Sequence, residues 1–504
     1  MPWHLLQINN VNDQGPTVPG ETVACRQATA SVINNQWSVC AFGNQLHYTY
    51  LDPNLNLQDC WYDGSTGRWH LQQINNVNDQ GPTVPGETVA CRQATAPVPF
   101  GIGAFVCAFG DQMHFTYVDP GGNLQDCWYD GPTNRWHLQQ INNANGNGPT
   151  VPGEYVACPQ ATAPVRDFGP GGPFVCAFGD QQHFAYMDAN GNIQDCWYDS
   201  PSGSWNLQQV NNGGRTDGPP VYGSLFVCAF GDQLHFAYVD SNDNLQDCWY
   251  DGAADRWHLW QINNAKTQGA TVPGEYVGCP QATLEGATWP FVCGLEGQLH
   301  FTYTDISNVV FDCLYESDAN QWNLWQINNV SEGPAVPGVY VPWPQATSFD
   351  LLFVCVFEDQ LHFICGDPDG NMQDLWYDGA ANQWNMRQIN NANGKGATVP
   401  GEDVACPQAT AAGAGGSGAF VCAFGDQLHY TYLDQDGNIQ DCWFEPPPPN
   451  PCQSWIDQLA DLSPGDFETL AEYKQAVAYL LGQLRECERA YGLSVPLQKL
   501  VHRL

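Results

Sequence analysis

The chain has 504 residues, enough for several ordinary domains or one large repeat domain. Hydrophobic residues at 43% and aromatics at 12% argue for a packed core and against a disordered chain. Charged residues are only 13% but one-sided, 15 Lys+Arg against 53 Asp+Glu for a formal −38, which argues against nucleic acid and anionic membrane surfaces as partners.

No apolar run approaches the ~20 residues that span a bilayer, so no membrane insertion is expected. The N-terminus, M-P-W-H-L-L-Q-I-N-N, runs straight into a repeat motif with no signal-peptide pattern. On that reading the chain is soluble, and either cytoplasmic or released by a non-classical route.

The motif at Trp3, W-[HN]-x-x-Q-[IV]-N-N, returns at Trp69, Trp136, Trp205, Trp257, Trp322 and Trp384, at spacings of 66, 67, 69, 52, 65 and 62 residues. That period is too long for a helical solenoid unit and suits a four-stranded blade plus a connector. Ahead of every copy but the first stand three runs of the type F-V-C-A-F-G, L-H-F-x-Y-x-D and Q-D-C-W-Y-D. Short aromatic and β-branched runs bounded by Asp-Pro, Asn-Gly, Asp-Gly and Gly-Gly predict consecutive hairpins.

These triplets start at Trp37, Phe105, Phe174, Phe226, Phe291, Phe353 and Phe420. The seventh ends at Glu445 with no fourth strand after it, while the N-terminal run at Trp3 has no triplet before it. The seven triplets and seven fourth strands balance only if the N-terminus completes the last sheet, which closes a ring and hides its edges. Residues 1–445 therefore read as all-β, a seven-bladed β-propeller of four-stranded blades closed by the N-terminal strand.

Between blades lie connectors of the type G-P-T-V-P-G-E-[TY]-V-A-C-x-Q-A-T. The one between Trp205 and Trp257 lacks the extended segment, so the four-strand unit does not need it, and a rim flap over one face is its expected place. Of 21 Cys, eighteen occupy repeat positions. One set follows Phe-Val (Cys107, Cys176, Cys228, Cys422). A second sits in Q-D-C (Cys60, Cys127, Cys196, Cys248, Cys313, Cys442), and a third in the connectors (Cys25, Cys91, Cys158, Cys279, Cys406). Buried Cys used as small hydrophobes is the leading reading, ahead of a disulfide between connector and strand; zinc comes third.

After the propeller, residues 446–453 read as a rigid Pro-rich linker and 454–504 as an α-helical tail. Ser463-Pro464-Gly465-Asp466 has the pattern of a helix start. Leu470, Tyr473, Val477, Leu480, Leu484, Cys487 and Tyr491 follow at three- and four-residue steps. This stripe either folds back on Trp455, Ile456 and Leu459 or pairs between chains and makes a homo-oligomer.

Seven of the 12 His share one repeat position: His47, His114, His183, His235, His300, His362 and His429. Seven Asp share another: Asp59, Asp126, Asp195, Asp247, Asp312, Asp374 and Asp441. The Trp two residues on from Asp lies on the same strand face, at Trp61, Trp128, Trp197, Trp249, Trp376 and Trp443. A short hairpin brings His and Asp strands together, so each blade offers a carboxylate, an imidazole and a ring. That trio suits a sugar: the polar groups hydrogen-bond hydroxyls and the C–H face of a pyranose lies on the ring. Such a site supports roughly millimolar to micromolar binding, and repetition around a ring adds ~10²–10⁴ in avidity. The same His–Asp pair also fits a purely structural bond between strands, in a protein-interaction scaffold. Seven copies of one constellation do not make an enzyme site, and no catalytic or phosphate-binding motif is present. No catalytic residue, metal ligand set or cofactor is assigned.

The order F-V-C-A-F-G, L-H-F-T-Y, N-L-Q-D-C-W-Y-D-G, R-W-H-L resembles the blades of β-propeller lectins, the fungal fucose-binding lectins and the seven-bladed Photorhabdus-type lectins. The resemblance covers all seven units. It implies a multivalent carbohydrate-binding protein with sites between neighbouring blades and glycans or glycoconjugates as partners. In the fucose lectins an Arg on the second strand, a Glu on the third and an aromatic from the adjoining blade form the site. By position, the His series stands for that Arg and the Asp series for that Glu. The aromatic is either the Phe of C-A-F-G (Phe42, Phe109, Phe178, Phe230, Phe424) or the Trp of Q-D-C-W. His lacks the bidentate fork of Arg and Asp is shorter than Glu, a departure that bears on which sugar fits. Leu295 and Leu314 replace aromatics in the fifth blade, and the sixth has Leu375 for Cys, so fewer than seven working sites are expected.

Overall fold

In the computed structural model the three runs of each triplet are strands. The structure describes residues 3–444 and 469–491, apart from 34–35, 100–103, 152, 167–172, 284–287, 296, 329–334, 337–338, 343–349, 380, 400–402 and 414–418. Blade 1 is built from Trp37–Phe42, Gln45–Leu51, Leu57–Asp63 and Arg68–Gln73. Blades 2 to 6 repeat that plan within 105–140, 174–209, 221–261, 288–326 and 350–388. Each is a four-stranded antiparallel sheet in sequence order.

The seventh sheet joins the chain's two ends, as the strand count requires. Trp3–Gln7 pairs antiparallel with Ile439–Phe444, Trp3 opposite Phe444 and Gln7 opposite Gln440. The all-β, seven-bladed propeller closed by its N-terminal strand is thus the observed fold.

Polar repeat residues hold the hairpins. Asp52 Oδ1 accepts from the backbone N–H groups of Asn54 and Asn56 at 2.8 and 3.0 Å, an Asx turn that closes the second hairpin. In the Q-I-N-N motif, Asn75 Oδ1 accepts from Leu57 N–H at 2.7 Å, while its amide nitrogen donates to Ala96 O at 3.3 Å. These groups are buried and satisfied, so the motif that marks the repeat is structural. First strands of successive blades pack on one another around the axis. Their aromatics meet in succession, from Phe105–Phe174 at 5.0 Å through Phe226, Phe291 and Phe353 to Phe420 and Trp37 at 4.8 Å.

The connectors are not flaps over a face. Each doubles back beside the end of the fourth strand just left and bridges its last residue in parallel, as at Gln7–Val23, Gln73–Val89, Gln140–Val156, Gln261–Val277 and Gln388–Val404. Ala90 N–H donates to Gln73 O at 2.8 Å. The connector thus pairs the last residue of an otherwise unpaired outer edge. Where that segment is missing, a longer strand, Val221–Phe230, enters blade 4 directly.

Trp3–Phe444 forms one compact unit, and Leu470–Tyr491 is a helix in a second. Tyr473 and Leu480 of its apolar stripe are buried. The Pro-rich stretch 446–453, the helix-start residues Ser463–Asp466 and Trp455, Ile456 and Leu459 lie outside the described residues. Among the described residues no helix is long and apolar enough to cross a membrane, and no group of three His, Cys, Asp or Glu is placed to hold a metal.

Candidate functional site

Strand register puts His47 opposite Trp61 and Asp59 opposite Thr49, so the His–Asp contact is diagonal. His47 Nδ1 lies 2.8 Å from Asp59 Oδ2, and Thr49 donates to Asp59 Oδ1 at 3.2 Å. All seven blades repeat the contact at 2.7–3.1 Å. The His are 0–6% exposed and the Asp 0–2%. With so little surface, the Asp carboxylate is occupied within its own blade, and its visible work is to orient the imidazole. On the other side of the ring, His47 Nε2 lies 3.2 Å from Oε1 of Gln45.

The indoles stack into the same arrangement. Trp61 lies between His47, with centroids 5.7 Å apart and planes 10° apart, and His70 on the fourth strand at 4.9 Å. The stack recurs at His114–Trp128–His137, His235–Trp249–His258 and His429–Trp443–His4. In blades 3 and 6 an Asn replaces the outer His, as Asn206 and Asn385. Blade 5 has Leu314 opposite His300 and no such stack.

Two pockets open from these faces, both between blades. One, of about 240 Å³, takes Phe42, Gln45, His47, Asp59, Trp61 and Gln72 from blade 1, with Met113, Phe115, Tyr129, Asn134 and Trp136 from blade 2. The other, of about 300 Å³, takes Phe178, Gln181, His183, Trp197 and Gln208 from blade 3, Arg215 from the short connector, and Leu234, Tyr250, Asp255 and Trp257 from blade 4. Here Arg215 Nε donates to Gln208 Oε1 at 2.9 Å and Gln208 Nε2 to Asp195 Oδ2 at 3.0 Å, a relay that ends on His183. Tyr250 donates to Asp255 Oδ1 at 2.8 Å, and that bond to a carboxylate raises the phenol's pKa. The structure thus brings the expected Phe, His, Asp and Trp of one blade to one seam. The blade 2 set (Phe109, His114, Asp126, Trp128) stands at the equivalent positions facing blade 3.

Sequence reasoning missed the partners from the next blade, Tyr129 and Trp136 or Tyr250 and Trp257. It also missed the fourth-strand residue opposite the Asp. That position reads Gln72, Gln139, Gln208, Trp260, Trp325, Arg387 and Leu6 around the ring. Where it is Trp, the seam is filled. Trp260 packs 5.0 Å from Trp249, 5.2 Å from Tyr315 and 5.5 Å from Trp322. Phe230 fills the same seam further, its ring seated where Gly294 has no Cβ. Trp325 packs 5.6 Å from Tyr377 and 5.5 Å from Trp384.

The last two seams are blocked differently. Arg387 lies over Trp376 at 5.1 Å and over Trp3 at 5.4 Å. Tyr430 donates across the seam to Asp374 Oδ2 at 2.6 Å, and Tyr48 to Asp441 Oδ2 at 2.7 Å. Phe115, Phe184, Phe236, Phe301 and Phe363 hold that position elsewhere and leave the carboxylate alone. Three neighbouring seams combine Gln on the fourth strand with Phe across the way, namely 1–2, 2–3 and 3–4.

No protein-family model and no curated protein matches the chain. Among solved structures it is similar to a lectin from Burkholderia pseudomallei (TM-score 0.45, 18% identity, covering 81% of this chain and 96% of that one). It is also similar to a mutant Aleuria aurantia lectin in complex with alpha-methyl-L-fucoside (TM-score 0.37, 11% identity, 71% and 96% covered). A third similarity is to the polysaccharide lyase Uly1 (TM-score 0.42, 10% identity, 87% and 96% covered). The fold described above rests on strand pairing and not on these similarities.

Proposed function

We propose that the propeller is a multivalent carbohydrate-binding protein, a lectin without catalytic activity, whose sugar sites are the seams 1–2, 2–3 and 3–4. The pocket between blades 1 and 2 is the observation that carries the reading. It sets amides, an imidazole edge and five aromatic rings around about 240 Å³, just below the ~300–1,000 Å³ of small-molecule sites and the size for one sugar ring. Gln45, Gln72 and His47 hydrogen-bond hydroxyls, while Trp61, Tyr129 or Trp136 takes the C–H face of a pyranose. Asp59 acts through His47, holding the ring in place.

The chain's formal −38 disfavours uronic or sulfated glycans, so neutral glycans are the expected partners. Sites of roughly millimolar to micromolar strength gain ~10²–10⁴ on clustered glycans when three act together. We infer further that 446–453 spaces a helical tail, 454–504, that joins chains or docks the ring.

Filling the open seams tests the reading. A Gln72→Trp, Gln139→Trp, Gln208→Trp triple variant, shown by circular dichroism to keep its sheets, is expected to lose the wild-type signal on a broad glycan array. An unchanged glycan profile would sink the seam sites, and a wild-type protein blank on every glycan would sink the lectin reading.

A further inference from the structure

Five connectors bring a Cys against the third-strand Cys of the blade that follows. The pairs are Cys25–Cys60, Cys91–Cys127, Cys158–Cys196, Cys279–Cys313 and Cys406–Cys442, and the two members of each are buried together in one packed cluster. The third-strand members are fully buried and the connector members at most 4% exposed. Each connector Sγ also sits 3.2–3.5 Å from a carbonyl oxygen of the following blade's fourth strand. The geometry repeats in five places built from segments about 35 residues apart in sequence.

Two blades lack the pair, blade 6 at both positions and blade 4 at the connector position alone. Blade 6 has Leu375 in place of the third-strand Cys, and the connector leading to it has Trp343 where the other full connectors have Cys. The short connector into blade 4 brings no Cys, and there Cys248 meets the hydroxyl of Thr216 at 3.0 Å instead. In blade 6 neither member is left as a lone thiol, and in blade 4 the remaining Cys has a hydroxyl for a neighbour.

We propose that these five pairs are disulfide-bonded in the mature protein, each staple fixing a connector to the next blade. Each bond forms by exchange with a low-molecular-weight disulfide or an oxidoreductase disulfide. One cysteine thiolate attacks it and releases one reduced thiol, and the second cysteine then displaces the other, so two protein S–H bonds become one S–S and the reagent gains both hydrogens. Burial holds the third-strand thiols well above their usual pKa, which suppresses the attacking thiolate once the ring is packed. The bonds therefore form while the connectors are still loose, during folding in an oxidising compartment. A cytoplasmic residence, one of the two expectations from the N-terminal sequence, does not fit this state.

To test it, the full chain is denatured, reduced and refolded in a glutathione–glutathione disulfide buffer, acid-quenched, and alkylated under denaturing conditions for mass spectrometry. The expected result is ten protected cysteines, eleven of the 21 alkylated, and non-reducing peptide maps joining the five named pairs. A Cys25→Ser, Cys60→Ser double variant lowers the protected number from ten to eight. Alkylation of all 21 cysteines, or cross-links joining other cysteines such as Cys107 and Cys176, would overturn the proposal. If refolding fails, the same count on chain secreted through an oxidising compartment decides the matter by the same outcomes.

Discussion

Seams 1–2 to 3–4 and seams 4–5 to 7–1 share one backbone plan, one His–Asp pair and one ring of first-strand aromatics, yet they present different surfaces. In the first group a Gln amide faces a Phe across the gap, and pockets open at seams 1–2 and 3–4. In the second a Trp, or an Arg on two indoles, or a Tyr hydroxyl on the carboxylate, takes that space. On the proposed reading the His–Asp pair, present on both sides, does not by itself distinguish the two groups, and the residue opposite the Asp, with the Phe or Tyr across the gap, does.

If that division is right, closed seams hold stability and open ones do not. Trp260→Ala is expected to cost up to about 3 kcal/mol, because a half-buried indole leaves a cavity among three rings. Gln72→Ala should stay within about 0.5 kcal/mol, as surface-type changes do, since its amide donates to Thr88 Oγ1 at 3.4 Å in an exposed setting. Urea unfolding of the two variants checks this, and equal losses would erase the distinction. A smaller effect is expected for Tyr48→Phe, which strips Asp441 of a donor and should cost about 1.5–3 kcal/mol at most. Leu6 still fills that seam, so no sugar binding should appear there, and new binding on titration would show that the hydroxyl alone was the block.

A separate comparison, of connectors with blades, is made by pH dependence. Burial raises Glu21 from 4.5 to about 8 and Glu87, Glu154 and Glu275 to about 7, beside Asp434, Asp52, Asp119 and Asp240. Between pH ~4.5 and ~7–8 an unfolded chain has ionised these groups while the folded one still holds the protons, so stability falls as pH rises through that window. The melting temperature should drop from pH 5 to pH 8, and the drop should shrink when all four are changed to Gln. A drop of the same size in the variant would remove these residues from the explanation.

Much of the ring was legible from sequence because counting does not depend on geometry. Seven triplets, six trailing fourth strands and one orphan at Trp3 admit only closure. The connectors were misplaced because Gly and Pro mark them as irregular, while the reason for their course, the bare edge of the fourth strand, lies in another segment. The His and Asp series stood out as a cluster, but their burial did not, since a diagonal pair beneath a stacked indole looks in sequence like any alternating strand. Gln72 and its counterparts vary openly within W-[HN]-x-x-Q. What sequence does not give is that Gln72 faces Tyr129 and Trp136, roughly 60 residues on in the next blade.

The most direct measurement is crystallography of the full chain soaked with a mixture of neutral monosaccharides. Sugar density is expected in seams 1–2, 2–3 and 3–4, with a ring on Trp61, Tyr129 or Trp136 and hydroxyls on Gln72 and His47. Density at Trp260, Trp325 or Arg387, or a sugar held by all seven His–Asp pairs alike, would contradict the division of the ring into open and closed seams.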